Sequence, residues 1–377
     1  MSGREPWRIG VLFSRTGATH LTESEHFCGT VLAVEEINRS GGVLGRPIDA
    51  VAYDPASDEV EYQRLATRLL ADDGISVIFG CSTSQSRKAV LKPIERRNGL
   101  LWYPSTYEGF EYSPNVLYTG AAPNQTIIPL AAWLARKHGT RLYCIGSDYI
   151  YPRESNRIMR DLMAQLGGEI VREEYVPFGA GADRLRPLVA DIAARQPDVV
   201  FSTVVGVSAQ VFYRLYHEAG LDPARMPIAS LTMAEGEVGA IGPERCAGHI
   251  TAATYFSTVA GDANDTFIAA FRGRFGAAAP VSMWSQTAYS QVHLFARALA
   301  RAGTTDTDAL VKAALGLELD TPEGHVTIDP DNHHTWLRPR IGVLGADGQF
   351  ALAWQARAPV RPDPYLTSYG PVETWLD

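Results

Sequence analysis

Short apolar runs of strand length alternate with helical patterns along most of this 377-residue chain, and that alternation constrains the fold more than any single residue. Strands are predicted at Arg8–Phe13, Pro47–Tyr53, Ser76–Gly80, Leu100–Tyr103, Arg141–Gly146, Ile170–Val176, Asp198–Thr203 and Pro227–Ser230. Helical patterns fall between them, at Glu25–Asn38, Val60–Ala71, Ser86–Arg97, Thr126–Lys137, Pro152–Leu166, Asp183–Arg195, Ser208–Ala219 and Glu235–Ile241. Strand–helix alternation with short connections gives parallel sheets covered by helices on both faces, and chain chirality makes the crossovers right-handed. The first helix shows the logic: Phe27, Val31, Leu32, Val34 and Ile37 recur at helical spacing, and Gly41–Gly42 stop it. Four such units precede a Pro-, Asn- and Gly-marked stretch from Tyr112 to Asn124, and four follow it. Two similar doubly wound, Rossmann-like α/β lobes are therefore expected.

The last third changes character. A long helical pattern, Trp284–Arg301, precedes a short one near Asp306–Leu315, then strand-like segments at His325–Ile328, Pro339–Leu344 and Phe350–Ala356. The tail carries Pro359, Pro362 and Pro364 and reads as an extended strap. Hydrophobic residues make up 46% and charged residues 20%, as in ordinary globular chains, and nothing approaches the ~20 consecutive apolar residues of a membrane span. A net charge of −8 with no dense Lys/Arg cluster argues against direct nucleic-acid binding. Cys28, Cys81, Cys144 and Cys246 are too scattered for a zinc finger or a redox CxxC pair and suit a reducing compartment. The apolar run Ile9–Phe13 arrives at once and is too short for the core of an export signal, so a cytoplasmic location is expected, or a periplasmic one if the native gene encodes an upstream signal.

In open parallel sheets, ligands sit beyond the carboxyl ends of the strands, at the switch points of the winding. That rule marks five loops: Cys81–Ser84, Tyr103–Tyr107, Ser147–Tyr151, Thr203–Val207 and Leu231–Glu235. They are rich in hydroxyls (Ser82, Thr83, Ser84, Ser105, Thr106, Thr232) and aromatics (Tyr103, Tyr107, Tyr149, Tyr151), with Val205 and Met233 completing a mostly neutral rim. Two lobes facing each other would turn these loops into a polar, aromatic-walled cleft. Ser84 precedes a helical pattern and is read as its N-cap, where backbone N–H groups can receive an anion or a carbonyl oxygen. Asp148, Glu108 and Glu235 are possible anchors for a charged group, while Arg153 and Glu154 are read as fixing their loop or bridging the lobes rather than doing catalysis. A small neutral ligand with one carbonyl and one NH2 suits such a site, its oxygen near Ser84 and its NH2 near Ser105.

Catalytic readings are weak. No G-x-S-x-G elbow, P-loop or GxGxxG occurs, and a thiol triad of Cys81, Glu108 and Lys88 follows no defensible spacing. The tract Asp329–Thr335 holds adjacent histidines, which do not have the i, i+4 spacing of a helical metal pair, so a turn is preferred over a metal site. Neither an enzyme nor a cofactor is expected.

The segments RKAV (Arg87–Val90), YEGFEYSPN (Tyr107–Asn115), APNQ (Ala122–Gln125), GSDYIYPRESN (Gly146–Asn156), VVFSTVVG (Val199–Gly206), PIASLT (Pro227–Thr232) and RPDPY (Arg361–Tyr365) carry a resemblance over nearly the whole chain. The sequence resembles the type I periplasmic-binding-protein superfamily of leucine-binding fold. Within it, the sequence is similar to the branch of urea and short-chain amide receptors and of cytoplasmic amide sensors that negatively regulate aliphatic amidase operons. The resemblance implies a clamshell with three hinge crossings, with lobes at residues 1–121 plus about 255–330 and 122–254 plus about 331–358, and a tail at 359–377. It implies ligand contacts at Ser84, Tyr103, Ser105, Thr106, Tyr151, Val205 and Thr232; Tyr107, Tyr149 and Met233 are added by the loop reading. For the sensors it further implies a partner antitermination regulator released on ligand binding, and a homodimer. The alternative is the substrate-binding protein of an ABC importer for urea or short-chain amides. Ser82 replaces the large aromatic that commonly follows the cysteine of the family's Gly-Cys motif, and Ser105–Thr106 replaces the sensors' Thr-Pro. Both changes imply a roomier or more hydroxylated pocket. IGPERCAGH and DPDNHHTW look closer to the transport receptors.

Overall fold

The computed structural model of the protein describes residues 5–368 and 370–376. Met1–Arg4, on which the reading of the chain start partly rests, lie outside the described residues. The chain runs β1 (Trp7–Leu12), α1 (His20–Arg39), β2 (Ile48–Tyr53), α2 (Glu59–Ala71), β3 (Val77–Gly80), α3 (Ser84–Arg96), β4 (Leu100–Tyr103) and β5 (Val116–Tyr118). It continues through α4 (Ile127–Lys137), β6 (Arg141–Ser147), α5 (Ile150–Gln165), β7 (Glu169–Val176), α6 (Ala182–Arg195), β8 (Val199–Thr203), α7 (Val207–Glu218), β9 (Ile228–Ser230), α8 (Glu235–Ile241), α9 (Pro243–Cys246) and β10 (Ile250–Ala253). The remainder is α10 (Asp262–Phe275), α11 (Met283–Ala302), α12 (Thr307–Ala314), β11 (Glu318–Thr321), β12 (Gly324–Ile328), β13 (Thr335–Trp336), β14 (Arg340–Leu344) and β15 (Phe350–Gln355).

Two compact units share these elements. The first takes the chain up to Tyr107, Glu111–Ala121 and Ala260–Leu337; the second takes Glu108–Phe110, Ala122–Val259 and Arg338 onward. Residues 331–337 thus belong to the first unit and the tail to the second, where Gln125 Nε2 and Asn124 Nδ2 each donate at 2.8 Å to the carbonyls of Val360 and Arg361.

The sheet of the first unit has the order β2-β1-β3-β4-β5, all parallel. Its central strands β3 and β4 are buried at every position, which is why they read as unbroken apolar runs rather than alternating ones. Side-chain alternation along β1 sends Ile9, Val11 and Phe13 to one face and Leu12 to the other. The first face packs on α1, α11 and α12 through residues such as Val34, Phe295 and Leu310; the second packs on α2 and α3 through Leu65, Leu69, Val90 and Ile94.

In the second unit the order is β15-β14-β10-β9-β8-β6-β7. It is not wholly parallel, which corrects the sequence expectation: β14 runs antiparallel to β10, and β15 antiparallel to β14. A hairpin with a short Ala346–Asp347 turn joins these two strands, and antiparallel neighbours need no crossover helix. The edge strand β7, EIVREEYV, carries charged side chains at four of its eight positions, which discourages pairing with another sheet. Strand β5, strand β10 and helix α10 went unpredicted; β5 and β10 are only three and four residues long and too short for a period to show. Among the described residues no helix is long and apolar enough to cross a membrane.

The tightest helix contact is α1 on α11. A Cβ built on Gly29 would stand 2.1 Å from the carbonyl oxygen of Ser285, so only glycine permits this crossing. The neighbouring turn is fixed as well: Ser282 caps α11 by accepting from the Trp284 N–H at 3.1 Å and donates its hydroxyl to Glu25 of α1. A matched pair of substitutions tests the constraint. Gly29→Ala is expected to destabilise the fold by about 2 kcal/mol or more through overpacking. Gly273→Ala, in α10 with open space around its Cβ, is expected to stabilise by about 0.5–1 kcal/mol. Urea midpoints moving in opposite directions would check both.

Candidate functional site

The loops marked from the sequence lie at carboxyl ends of strands, three of them at switch points. In the first unit the winding reverses between β1 and β3, so the switch-point loops are those after Leu12 and after Gly80. In the second it reverses between β6 and β8, at the loops after Ser147 and Thr203.

The β3–α3 loop departs from expectation in one respect. Thr83, not Ser84, is the N-cap: its backbone is extended and its hydroxyl accepts from the Ser86 N–H at 3.1 Å. Ser82, Thr83 and Ser84 are all competent caps by residue type, and the choice among them is set by backbone torsion. Ser84 is the first helical residue, is buried, and accepts at 3.2 Å from the Arg87 guanidinium. Just before the loop, the buried Cys81 takes φ +68, a left-handed conformation costly for a side-chain-bearing residue. Its N–H is held by the Leu12 carbonyl at 3.0 Å, and burial pushes its thiol far up, away from the thiolate form.

Arg87 organises the region. Fully buried, it meets Glu111 at 2.6 Å, and its guanidinium lies 4.8 Å and 4.7 Å from the ring centres of Tyr103 and Tyr107. Glu111 also accepts from Lys88 at 2.7 Å and from the Tyr118 hydroxyl at 3.2 Å. Burial alone would raise the Glu111 carboxyl, but the charges and hydrogen bonds of Arg87 and Lys88 outweigh it and hold the group down to about 2.

The β4 loop delivers the remaining predicted residues of this unit. The Tyr103 hydroxyl donates to the Ser82 carbonyl at 2.8 Å, and the Thr106 hydroxyl to the Ala121 carbonyl at 3.2 Å. A Cβ on Gly120 would meet the Ser105 carbonyl oxygen at 2.0 Å, so a glycine there lets the loop press against its neighbour. Tyr107 does not line the loop surface. It is 1% exposed and stacks on Tyr118, which stacks on His334 with ring centres 4.2 Å apart. His334 is therefore an interior aromatic, held down to about 4 chiefly by burial, and His333 contacts the Val116 carbonyl at 3.2 Å. Among the described residues no three His, Cys, Asp or Glu side chains gather as metal ligands.

In the second unit Tyr149 and Tyr151 flank the start of α5, 6.2 Å between ring centres, with Phe178 on the other side of Tyr149 at 4.9 Å. The Ser147 hydroxyl accepts from the Val205 N–H at 3.2 Å and ties together the loops after β6 and β8. The Ser230 hydroxyl plays the same part for the third loop, accepting from the N–H groups of Thr232 at 3.1 Å and Met233 at 3.2 Å. The part played by these two strand-end serines went unrecognised in the sequence. The charges nearby are spoken for: Arg153 grips Asp148 at 2.6 Å, Arg157 grips Glu154 at 2.8 Å, and Glu235 accepts from the Ser257 N–H at 2.8 Å.

Sequence reasoning also missed the β1–α1 loop and the polar residues behind it. Buried Glu23 accepts from the Ser14 N–H at 2.7 Å, from the Thr19 hydroxyl at 2.6 Å and from the Tyr62 hydroxyl, and burial raises its carboxyl to about 7. His26 and Trp284 lie close by, both buried. A Glu or His inside an amphipathic helix reads as its solvent face, and only the Tyr62 hydroxyl of α2 on Glu23 and the packing of Trp284 of α11 on His26 show otherwise.

The two carboxyls predict opposite pH dependences. Glu111, depressed when folded, stabilises the fold above the ordinary carboxylate range, and this is lost as pH falls from about 5 toward 2; its full value is on the order of 3 kcal/mol. Glu111→Gln should therefore be destabilised at pH 7 and approach the parent's stability near pH 2. Glu23, raised when folded, costs stability as pH climbs from its unfolded value through about 7, so Glu23→Gln should flatten that slope. Urea unfolding across this pH range checks both signs.

Comparison with known proteins fits this architecture. The periplasmic binding protein domain family matches residues 7–370. Leu/Ile/Val-binding protein homolog 6 of Brucella melitensis is 24% identical over 303 residues, 78% of this chain and 77% of that protein. A 128-residue segment, 34% of this chain, is 27% identical to limonene hydroxylase of Geobacillus stearothermophilus but spans only 23% of that protein. Among solved structures, the solute-binding protein of an ABC transporter from Rhodopseudomonas palustris BisB5, in complex with 3,4-dihydroxybenzoic acid, superposes with a TM-score of 0.86 at 22% identity, covering 95% of this chain and 99% of that one. With nearly its whole length matched and both Rossmann-like sheets in place, this chain belongs to the periplasmic binding protein family of type I, leucine-binding fold.

Proposed function

We propose that this protein is the solute-binding component of an ABC importer, and that its solute is a small neutral molecule with a carbonyl group, of the urea and short-chain amide class. The match along residues 7–370 carries the first part, since the compared proteins of this length are named as binding proteins rather than enzymes. Loop chemistry supports the second. In both units the strand-end loops offer hydroxyls, backbone N–H groups and aromatic rings, while Arg87, Asp148, Arg153 and Glu235 already hold charged or backbone partners. A site built this way suits a ligand that needs directional hydrogen bonds and no counter-ion.

A second reading, a cytoplasmic amide sensor acting on an antitermination partner, is favoured by the segments YEGFEYSPN and GSDYIYPRESN. The two readings share a ligand and differ in partner. Stimulation of ATP hydrolysis by the cognate permease and ATPase supports transport; ligand-sensitive capture of an antiterminator supports sensing.

A ligand that binds only the folded state raises the unfolding temperature by mass action. Acetamide and urea are expected to do so, and leucine, isoleucine and 3,4-dihydroxybenzoate are not; stabilisation by the carboxylates alone would overturn the ligand class. Ser84→Ala is expected to weaken the binding of acetamide by about 1–3 kcal/mol, and an unchanged Kd by calorimetry would remove Ser84 from the ligand's contacts.

A further inference from the structure

Helix α11 carries a group of aromatic and polar side chains that the strand-end loops do not use. Tyr289 and His293 stack one turn apart with 4.5 Å between ring centres, and Phe267 of α10 meets Tyr289 at 4.7 Å. Glu36 of α1 joins them: it accepts from the Tyr289 hydroxyl at 2.6 Å and stands 3.7 Å from His293 Nε2.

Two cavities of the first unit open beside this group and share His293 and Leu319 in their walls. The larger, about 450 Å³, sets Glu36 and Arg297 in an apolar wall, so its charges oppose one another and prescribe no sign of ligand. The smaller, about 340 Å³, lies between α10, α11 and the hairpin of β11 and β12, and no strand-end loop of the parallel sheet lines it. That volume is sufficient for a small-molecule site. Phe267, Tyr289, Leu319 and Pro322 supply its apolar wall, while Asp262 and Asp320 are its acidic residues, with no Lys or Arg beside them. Asp262 makes no ion pair among the described residues, and Asp320 meets His325 at 2.8 Å.

The sign of a ligand here follows from the surroundings. Glu36 places a further negative charge next to Tyr289: burial would raise its carboxyl, but His293 and the Tyr289 hydroxyl hold it below the ordinary range. By donating to that carboxylate, the Tyr289 hydroxyl pushes electron density into its own ring, which strengthens the attraction of the ring for a cation. An anion would meet Asp262, Asp320 and Glu36 with no counter-charge in the wall. A neutral apolar molecule would cover the two aspartates without pairing them. The wall also holds a polar atom that lacks a partner, since His293 Nε2 is buried and makes no hydrogen bond.

We propose that the cavity between α10, α11 and the β11–β12 hairpin is a ligand site separate from the strand-end loops, and that it takes a small organic ammonium ion with an apolar body. The body seats on Phe267, Leu319 and Pro322, and the ammonium group takes its attraction from the Tyr289 ring, Asp262 and Asp320. This site is independent of the solute proposed above and of whether the protein serves transport or sensing.

Phenethylammonium and 3-phenylpropionate test the proposal, because they share a body and differ in charge. Calorimetry is expected to show saturable binding of phenethylammonium in the millimolar range or tighter, and of 3-phenylpropionate roughly tenfold more weakly or worse. Asp262→Asn combined with Asp320→Asn, both at exposed positions, should weaken phenethylammonium about tenfold and leave the urea midpoint in place. Tyr289→Phe, which keeps the ring and removes its tie to Glu36, should cost about threefold. Three results would overturn the site: no saturable binding of phenethylammonium at millimolar concentration, equal affinity for the two probes, or undiminished phenethylammonium binding by the folded double asparagine variant.

Discussion

The buried guanidinium of Arg87 is the constraint on which the rest of the first unit depends. A charge taken wholly out of water must be paired, and here Glu111 arrives from a loop 24 residues further along the chain to pair it. That single requirement draws several elements together. Arg87 brings α3, Tyr103 at the end of β4, and Tyr107 with its stack on Tyr118 and His334 into one assembly, while Lys88 and the Tyr118 hydroxyl complete the shell around the carboxylate. Ser84 is held by the same guanidinium. Position and polarity at the start of α3 thus follow from an ion pair that never meets solvent as a free charge.

A second constraint is steric. Gly29 lets α1 and α11 approach to backbone contact, and the residues one turn away, Glu25 and His26, then meet Ser282 and Trp284. In a looser crossing His26 would find water and the Ser105 hydroxyl would lose its buried partner.

Legibility in the sequence divided along physical lines. Long periodic elements were readable because their burial imposes a period: α1, α5 and α11 appear within a few residues of where the apolar spacing put them, and β3 and β4 read as the unbroken apolar runs that two-sided burial demands. Strand β5 did not, because three residues hold no period, and the antiparallel β14–β15 edge did not, because strand direction is a property of the connection rather than of the residues. Three of the four switch-point loops could be named from the sequence, yet the one after β1 and the individual roles inside the loops could not. Thr83 took the cap expected of Ser84, and Tyr107 turned inward where a pocket wall was expected.

By itself, then, the sequence determined the α/β class, two doubly wound sheets, and the strand-end loops that hold the hydroxyls and aromatics, since all of these follow from local periodicity and from the order of elements. Only the tertiary structure decided that Arg87 is buried against Glu111, that His26 stands behind Ser105, and that Ser105 reaches the Ser82 hydroxyl. Those are relations between residues 23 to 79 positions apart, set by which helix lies on which face of the sheet, and no local pattern encodes them.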